Sequence, residues 1–260
     1  MNEKQKREAF RKYFTPPPAK SLLWLLFAFL GALLIVPFLS DRNGGICIAV
    51  GVLFLVIAAI LGLLELNKVR KANDKPDDAQ VDAWIAEDMQ KLVKQAIYKM
   101  GLDPDPNMQA GTPLIVRGPV LWQTHGVPAT DLLWTRGKDG VIRFAINRIT
   151  VFNTAHDQLG AYKCDFTFLK GYPLNEETRE FYYKDIVSVS TEEESTNFTL
   201  PNNVAMVTAQ AFRLAVSSGD RISVITNPYK IAELTQGKIP DAGAERVVQV
   251  IRTMLRGKKV

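Results

Sequence analysis

The stretch that decides the fold is SLLWLLFAFLGALLIVPFLS at residues 21–40, followed after three residues by GGICIAVGVLFLVIAAILGLL at residues 44–64. Both runs lack charged residues, and a helix of about 20 residues crosses the hydrocarbon core of a membrane. Because their connection is short and polar, the pattern predicts a hairpin over 21–64, with spanning helices at 21–40 and 45–64. The alternative is a buried hairpin of a soluble protein, but helices of that kind normally carry a polar stripe.

Small residues spaced four apart mark where the two predicted helices are expected to touch. Such residues let helix backbones approach each other closely inside a membrane. The pairs with this spacing are Ala28 with Ala32, Gly45 with Ala49, and Ala58 with Gly62.

Basic residues flank the outer ends of the hairpin and predict its orientation. The connecting loop holds only Arg42, whereas cytoplasmic flanks of membrane helices are enriched in Lys and Arg. We therefore expect a two-span protein of the bacterial inner membrane with both termini in the cytoplasm. The flanking basic residues are Lys4, Lys6, Arg7, Arg11, Lys12 and Lys20 in the segment 1–20, and Lys68, Arg70, Lys71 and Lys75 after the second run.

The charge balance argues against a nucleic-acid partner. The formal net charge is +5, of which residues 1–79 carry +4 and residues 80–260 carry +1. The excess therefore lies beside the membrane, where anionic headgroups attract it. With two cysteines the chain cannot build a disulfide framework or a cysteine-rich zinc site, and it contains no glycine-rich nucleotide-binding motif, so no cofactor is expected.

The remainder of the chain reads as an α+β cytoplasmic domain. A polar linker (65–78) precedes an amphipathic helix (79–101), and a turn-rich connector leads to a domain over 112–260. Residues 132–136 and 141–153 read as a hairpin, with a bulge expected near Asn147 and Arg148. Further strands are predicted at 162–168, where apolar and polar residues alternate as in a half-buried strand, and at 179–191, 204–217 and 221–226. A closing helix is predicted at 244–255.

The domain resembles the bacterial pleckstrin-homology-like family, which is similar to the GRAM and pleckstrin domains. The resemblance rests on AINRITVF (145–152), REFYYKDIVSVST (179–191), AFRLAVSSGDRISV (211–224) and AERVVQVIRTMLRG (244–257). It implies an antiparallel β-sandwich or barrel, closed at one end by the C-terminal helix. The chain differs from that pattern by a long turn at 155–160 and an acidic run at 192–195. The two-span anchor also looks like that of uncharacterised bacterial membrane proteins.

Four basic residues surround the predicted first hairpin, where pleckstrin-type domains dock phosphoinositide headgroups. The resemblance therefore implies contacts with an anionic ligand or lipid headgroup, although the basic motif of the family is incomplete in this sequence. The alternative is a solvated surface. The four residues are Arg136, Lys138, Arg143 and Arg148.

No other group of residues makes a specific catalytic or metal-binding pattern. His125 and His156 lie in turn-like sequences, and His156 could join a catalytic set with Asp157 and either Asp131 or Cys164 only if the fold brings them together. Glu192, Glu193 and Glu194 form an acidic run, and Asp103 and Asp105 lack the glutamate that completes a calcium loop. The aromatic residues Trp122, Trp134, Tyr182 and Tyr183 are expected to pack rather than form a binding cage.

These patterns favour a non-enzymatic scaffold or adaptor, anchored in the inner membrane, whose cytoplasmic domain binds another protein or itself. Three alternatives remain open. The domain could sense a lipid or small ligand, the hairpin could oligomerise into a pore, or His156 could belong to a hydrolase.

Overall fold

The computed structural model describes residues 1–16, 19, 21–36, 45–101, 112–199 and 205–258. The chain divides into two compact units. The helical unit is Thr15–Lys75, and the sheet unit combines Met1–Phe14 with Pro76–Val260. The predicted basic segment 1–20 is therefore divided between the two units, and its first fourteen residues belong to the sheet unit.

The helical unit contains two apolar helices, α2 (Leu23–Ile35) and α3 (Gly45–Asn73). Their backbones approach each other closely where two glycines face each other, because a Cβ atom on Gly31 would lie 2.8 Å from the carbonyl oxygen of Gly51. Phe27 and Phe54 stack across the same pair, with ring centroids 5.8 Å apart. Gly31 and Gly51 were not among the small-residue pairs that the sequence suggested, and a contact through those pairs stays a prediction.

One helix in the described ranges is long and apolar enough to cross a membrane. It covers Ile48–Arg70, with a mean hydropathy of 2.7 and 11% of its most apolar window buried. Helix α2 is apolar but only 13 residues long. The end of the first predicted span and the connecting loop, residues 37–44, lie outside the described residues.

The sheet unit is an α+β structure with antiparallel sheets, as predicted. Its helices are α1 (Glu3–Phe14), α4 (Asp78–Lys99), α5 (Tyr229–Thr235) and α6 (Ala244–Lys258). Short 3-10 helices cover Ala129–Asp131 and Tyr183–Asp185. The strands are β1 (Leu114–Pro119), β2 (Trp134–Arg136), β3 (Ile142–Phe144), β4 (Ile146–Thr154), β5 (Gln158–Thr167), β6 (Tyr172–Tyr182), β7 (Ile186–Thr199), β8 (Ala205–Val216) and β9 (Arg221–Asn227).

The strands form two main sheets and one inserted hairpin. The first sheet has the order β1-β4-β5-β6, the second has the order β7-β8-β9, and β2 pairs with β3. All of these pairings are antiparallel. The sheets meet where β1 passes β9, and a Cβ atom on Gly118 would overlap the carbonyl oxygen of Ile225. Only glycine fits at that crossing.

The central strands β4 and β5 of the first sheet are buried on both faces, which the half-buried alternation in the sequence did not predict, whereas β6 is largely exposed or half-buried. One face packs against α1 and α4 in a cluster that includes Phe10, Leu92, Tyr162 and Phe166. The other face packs against the second sheet and α6 in a cluster that includes Phe152, Phe212, Val224 and Ile251. Two polar residues of β5 are also covered, since Asp165 and Thr167 are each 1% exposed, whereas Lys163 is half-buried.

Two strands predicted as continuous are interrupted. The strand expected over 141–153 breaks at Ala145 into β3 and β4, and β4 pairs regularly with β1 and β5 through Asn147 and Arg148. The predicted bulge at those two residues is therefore wrong, because the change of apolar phase comes from the break. The strand expected over 179–191 is divided by the 3-10 helix Tyr183–Asp185, where the chain passes from the first sheet to the second.

Candidate functional site

A network of buried charged groups joins α1 to α4 in the sheet unit. The Lys6 Nζ atom donates to Asp88 Oδ1 at 2.8 Å and to Glu87 Oε2 at 2.9 Å. The Arg7 guanidinium donates to Asp88 Oδ2 at 2.5 Å and to the carbonyl oxygen of Phe168 at 3.0 Å. Because Lys6 is 4% exposed and Asp88 is 2% exposed, neither charge could be left without its partner at low cost.

Aromatic side chains complete this contact, which we call the N-terminal clasp: Lys6, Arg7, Phe10, Tyr13 and Phe14 of α1 with Asp78, Trp84, Asp88 and Phe168. The three aromatic residues of α1 are at most 3% exposed. Phe10 lies 5.6 Å from Trp84 and 5.9 Å from Phe168 between ring centroids. The Tyr13 hydroxyl donates to Asp78 Oδ1 at 2.7 Å, and burial together with this bond raises the pKa of Tyr13.

The sequence suggested Arg143 as a headgroup contact, but its guanidinium is already saturated with protein acceptors. Its Nε and Nη2 atoms donate to the two carboxylate oxygens of Asp82 at 2.7 and 2.6 Å. Further bonds reach both carboxylate oxygens of Asp139 and the carbonyl oxygen of Val141. The side chain is 4% exposed. The hydrogen bonds to Asp82 and Asp139 raise the pKa of Arg143. The bond from Arg143 in turn lowers the pKa of Asp139 to about 2.

The guanidinium of Arg148, on β4, is likewise bound to a carboxylate of the sheet unit. It forms a bidentate ion pair with Asp165, with N–O distances of 2.8 and 3.0 Å, and its guanidinium lies 5.6 Å from the Trp122 ring centroid. Asp165 also accepts hydrogen bonds from Asn175 and Thr124. The group therefore fastens the loop after β1 onto the first sheet.

The other two predicted headgroup contacts lie at the surface of the β2–β3 hairpin. Arg136 is exposed and donates to the carbonyl oxygen of Thr235 at 3.2 Å. Lys138 is exposed, and its backbone N–H donates to Asp78 at 2.6 Å. Headgroup binding by this region stays a prediction, and in this geometry Arg136 and Lys138 are the members that carry exposed side chains.

The structure does not bring His156 and Cys164 together. His156 is exposed in the turn between β4 and β5, and Cys164 lies six residues after the start of β5, a distance on the order of 20 Å along a strand. The Cys164 thiol is 1% exposed, and burial raises its pKa to about 12. A thiol with that pKa is a poor nucleophile at neutral pH. His125 is exposed in the loop after β1, and Asp131 pairs with Lys170 at 2.9 Å.

The acidic residues do not assemble a metal site in the part of the chain that is described, where no group of three or more His, Cys, Asp or Glu has suitable geometry. Glu192 pairs with Arg213 at 3.2 Å, and Glu193 accepts a hydrogen bond from Tyr229. Asp103 and Asp105 lie outside the described residues.

A shallow pocket of about 350 Å³ lies where β6 ends and the β8–β9 turn begins. We call it the corner pocket; its lining includes Arg179, Tyr182, Asp185, Ser217 and Asp220. Tyr182 is 52% exposed, unlike the other aromatic residues singled out from the sequence, which are half-buried or buried. Nearby in the chain, Val187 is 60% exposed at the start of β7.

The corner pocket combines the basic Arg179 and several acidic groups with the exposed ring of Tyr182. Arg179 faces Asp220 at 3.4 Å, and the Ser218 hydroxyl donates to Asp220. A tyrosine beside polar groups is typical of the residues that dominate protein contacts. Sequence reasoning missed this pocket because its walls come from segments about 35 residues apart. It also predicted a continuous strand at 179–191, whereas β6 ends at Tyr182.

Comparison with protein-family models, with curated proteins and with solved structures found no significant match.

Proposed function

We propose that this chain is an integral membrane protein whose two apolar helices anchor a cytoplasmic, pleckstrin-like module that binds another protein. The observation that carries the proposal is the composition of the sheet unit. Residues Met1–Phe14 and Pro76–Val260, which flank the apolar segment, share one core.

This shared core supports a hairpin topology. A chain that crossed the membrane once between Phe14 and Pro76 would leave α1 and α4 in different compartments, where the ion pairs of Lys6 and Arg7 with Asp88 could not form. An even number of crossings keeps both flanks on one side. The basic residues around the apolar segment favour the cytoplasm as that side.

The pleckstrin-like assignment is supported by the order of the elements. A four-stranded antiparallel meander is followed by a three-stranded meander, by the short helix α5 and then by α6, and the sequence resemblance likewise implies antiparallel strands closed by a C-terminal helix. The β2–β3 hairpin is an insertion between the first two strands of that meander. Ile251 of α6 is fully buried against both sheets.

The placement of charge favours a protein partner over a lipid headgroup. Arg143 and Arg148 have their guanidinium groups bound to carboxylates, so the predicted headgroup site retains little concentrated positive charge. The exposed Tyr182 and Val187 beside the corner pocket offer the kind of surface that a protein partner covers.

The topology is tested by cysteine accessibility in intact cells. In a Cys47→Ala, Cys164→Ser background, single cysteines at Lys4 and Arg256 are expected to react only after the cells are permeabilised. A cysteine at Asn43 is expected to react without permeabilisation. Labelling of Arg256→Cys from outside intact cells would exclude the proposed arrangement.

The binding function is tested by photo-crosslinking in native membranes. A photoreactive residue at Tyr182 or Val187 is expected to capture a defined protein band. The same residue at Tyr98, which is 76% exposed on α4, serves as the matched surface control. Equal capture at Tyr98 and Tyr182, or capture of lipid alone, would contradict protein binding at the corner pocket.

A further inference from the structure

Helix α1 lies in a groove of the sheet unit. The chain connects α1 to the rest of that unit only through the whole helical unit, Thr15–Lys75. The groove lies between α4 and the first sheet, and its walls include Trp84, Asp88, Leu92 and Phe168. No turn or short loop connects α1 to either wall, since the chain passes through Thr15–Lys75 before it returns. The contact is therefore built like one between a receptor and a separate helical peptide.

The contact also has the chemistry of specific recognition. An amphipathic helix that binds in a groove presents apolar residues at spacings of three and four, and Phe10, Tyr13 and Phe14 follow that spacing. Lys6 and Arg7 add a buried double ion pair with Asp88: Arg7 donates to both carboxylate oxygens, and Lys6 donates to Oδ1 as well. Charge pairs that are buried in this way select their partner because a neutral or acidic replacement leaves Asp88 uncompensated.

The backbone of the groove is shaped to receive the arginine. Gly171 has a φ of +80°, and a Cβ atom there would overlap the Arg7 guanidinium. The carbonyl oxygen of Phe168, in the same turn, accepts a hydrogen bond from Arg7. The turn between β5 and β6 thus holds the guanidinium from one side while α4 holds it from the other.

We propose that this groove is a helix-binding site whose ligand is the basic and aromatic segment 1–14, and that this segment from a second copy of the chain binds there as the chain's own segment does. Exchange of an identical element between copies forms no new type of contact and is a low-cost route to association. The inference does not depend on the membrane topology, because it concerns only contacts inside the sheet unit.

The test uses the full-length protein in mild detergent, with a protease recognition sequence replacing residues 16–19. After cleavage, a fluorescent peptide of residues 1–15 is added and its anisotropy is followed. We expect saturable binding of one peptide per chain, reversed by unlabelled peptide, while the near-ultraviolet circular dichroism of the sheet unit is retained. Failure of the labelled peptide to bind, whether the cleaved protein stays folded or unfolds, would overturn the proposal.

Two matched peptide variants establish that the clasp is the site. Lys6→Ala and Lys4→Ala remove the same charge two residues apart, but Lys6 is 4% exposed while Lys4 is exposed to solvent. We expect Lys6→Ala to weaken binding about tenfold or more because it breaks a buried ion pair, and Lys4→Ala to change it by less than about twofold. Equal effects would mean that the peptide binds through its net charge, and the proposed site would be wrong.

Discussion

The two faces of the first sheet are covered by helices that reach it in different ways. Helix α6 packs on the face of the first sheet that is turned toward the second sheet. In the chain it comes after β9, with the short helix α5 between them. Helices α1 and α4 cover the other side, and the whole helical unit lies between them in the chain. Both helices bury apolar side chains, but α1 also contributes the buried ion pairs of Lys6 and Arg7 with Asp88. These ion pairs restrict which helix can bind at that position.

This difference indicates that residues on both sides of an inserted segment can belong to one hydrophobic core, as Met1–Phe14 and Pro76–Val260 do. A fragment that begins near Lys75 retains α6 but lacks Phe10, Tyr13 and Phe14. It would expose Phe168 and leave the Asp88 carboxylate without Lys6 and Arg7. A fragment of the sheet unit that folds by itself therefore has to contain the N-terminal segment as well as residues 76–260.

The largest effect is expected on the α6 side. Ile251→Asp places a carboxylate in a fully buried position and should lower the free energy of unfolding of the sheet unit by about 5 kcal/mol or more. Gln249→Asp, on the exposed face of the same helix, is the control and should be nearly neutral. Urea unfolding of the full-length protein in detergent measures both, and equal stabilities would mean that α6 does not pack as described.

On the α1 side, removal of the buried carboxylate is the strongest change. Asp88→Ala leaves Lys6 and Arg7 without their shared partner and should cost about 3–5 kcal/mol. Glu245→Ala, an exposed acidic residue on α6, is the control for loss of one negative charge. If Asp88→Ala lowers the unfolding midpoint no more than its control, the clasp does not stabilise the sheet unit.

A smaller effect is expected from one hydroxyl group. Tyr13→Phe keeps the ring but removes the donor to Asp78, and should cost about 1–2 kcal/mol because the lost bond is to a charged, largely buried group. Tyr98→Phe removes a hydroxyl from a residue that is 76% exposed and should change little. A larger loss for Tyr98→Phe, measured by the same unfolding assay, would contradict the assigned contact.

The smallest effect is a dependence on pH in the acidic range. Hydrogen bonds from Lys91 and Lys6 lower the pKa of Glu87 from 4.5 to about 2 in the folded protein. A lowered pKa gives stability that is fully present above pH 4.5 and is lost as the pH falls toward 2. Between these pH values the urea midpoint of unfolding should change less steeply with pH in Glu87→Gln than in the unchanged protein. An equal dependence on pH in both proteins would show that Glu87 does not contribute to the stability of the sheet unit.

The sequence predicted α4 and the elements near α6 better than the strands of the first sheet. Strands β8 and β9 and helix α6 were placed within a few residues because each carries its own alternation or helical stripe. Strand β5 was placed, but its polar positions were read as solvent-facing. Asp165 is nevertheless buried by Arg148, Thr124 and Asn175, and no local pattern shows that distant residues will satisfy a polar side chain.

The candidate site was predicted in part. Arg143 and Arg148 were recognised as notable, but an isolated sequence cannot say whether an arginine meets a ligand or a carboxylate of its own chain. Their partners Asp82 and Asp165 are 61 and 17 residues away. Tyr182 was expected to pack, yet the 3-10 helix that comes after it leaves its ring at the surface.

The sequence by itself determined the apolar segment, the basic residues around it and the α+β character of the chain after residue 78, because these depend on composition and on periodicity along the chain. The predicted linker (65–78) is wrong for most of its length, because α3 continues to Asn73. Only the tertiary structure decided that Met1–Phe14 belongs to the sheet unit and that the central strands of the first sheet are covered on both faces. The physical reason is that Phe10 and Asp88 gain their stabilisation from partners far away in the chain. Packing and ion pairing depend on distance in space, which local sequence does not encode.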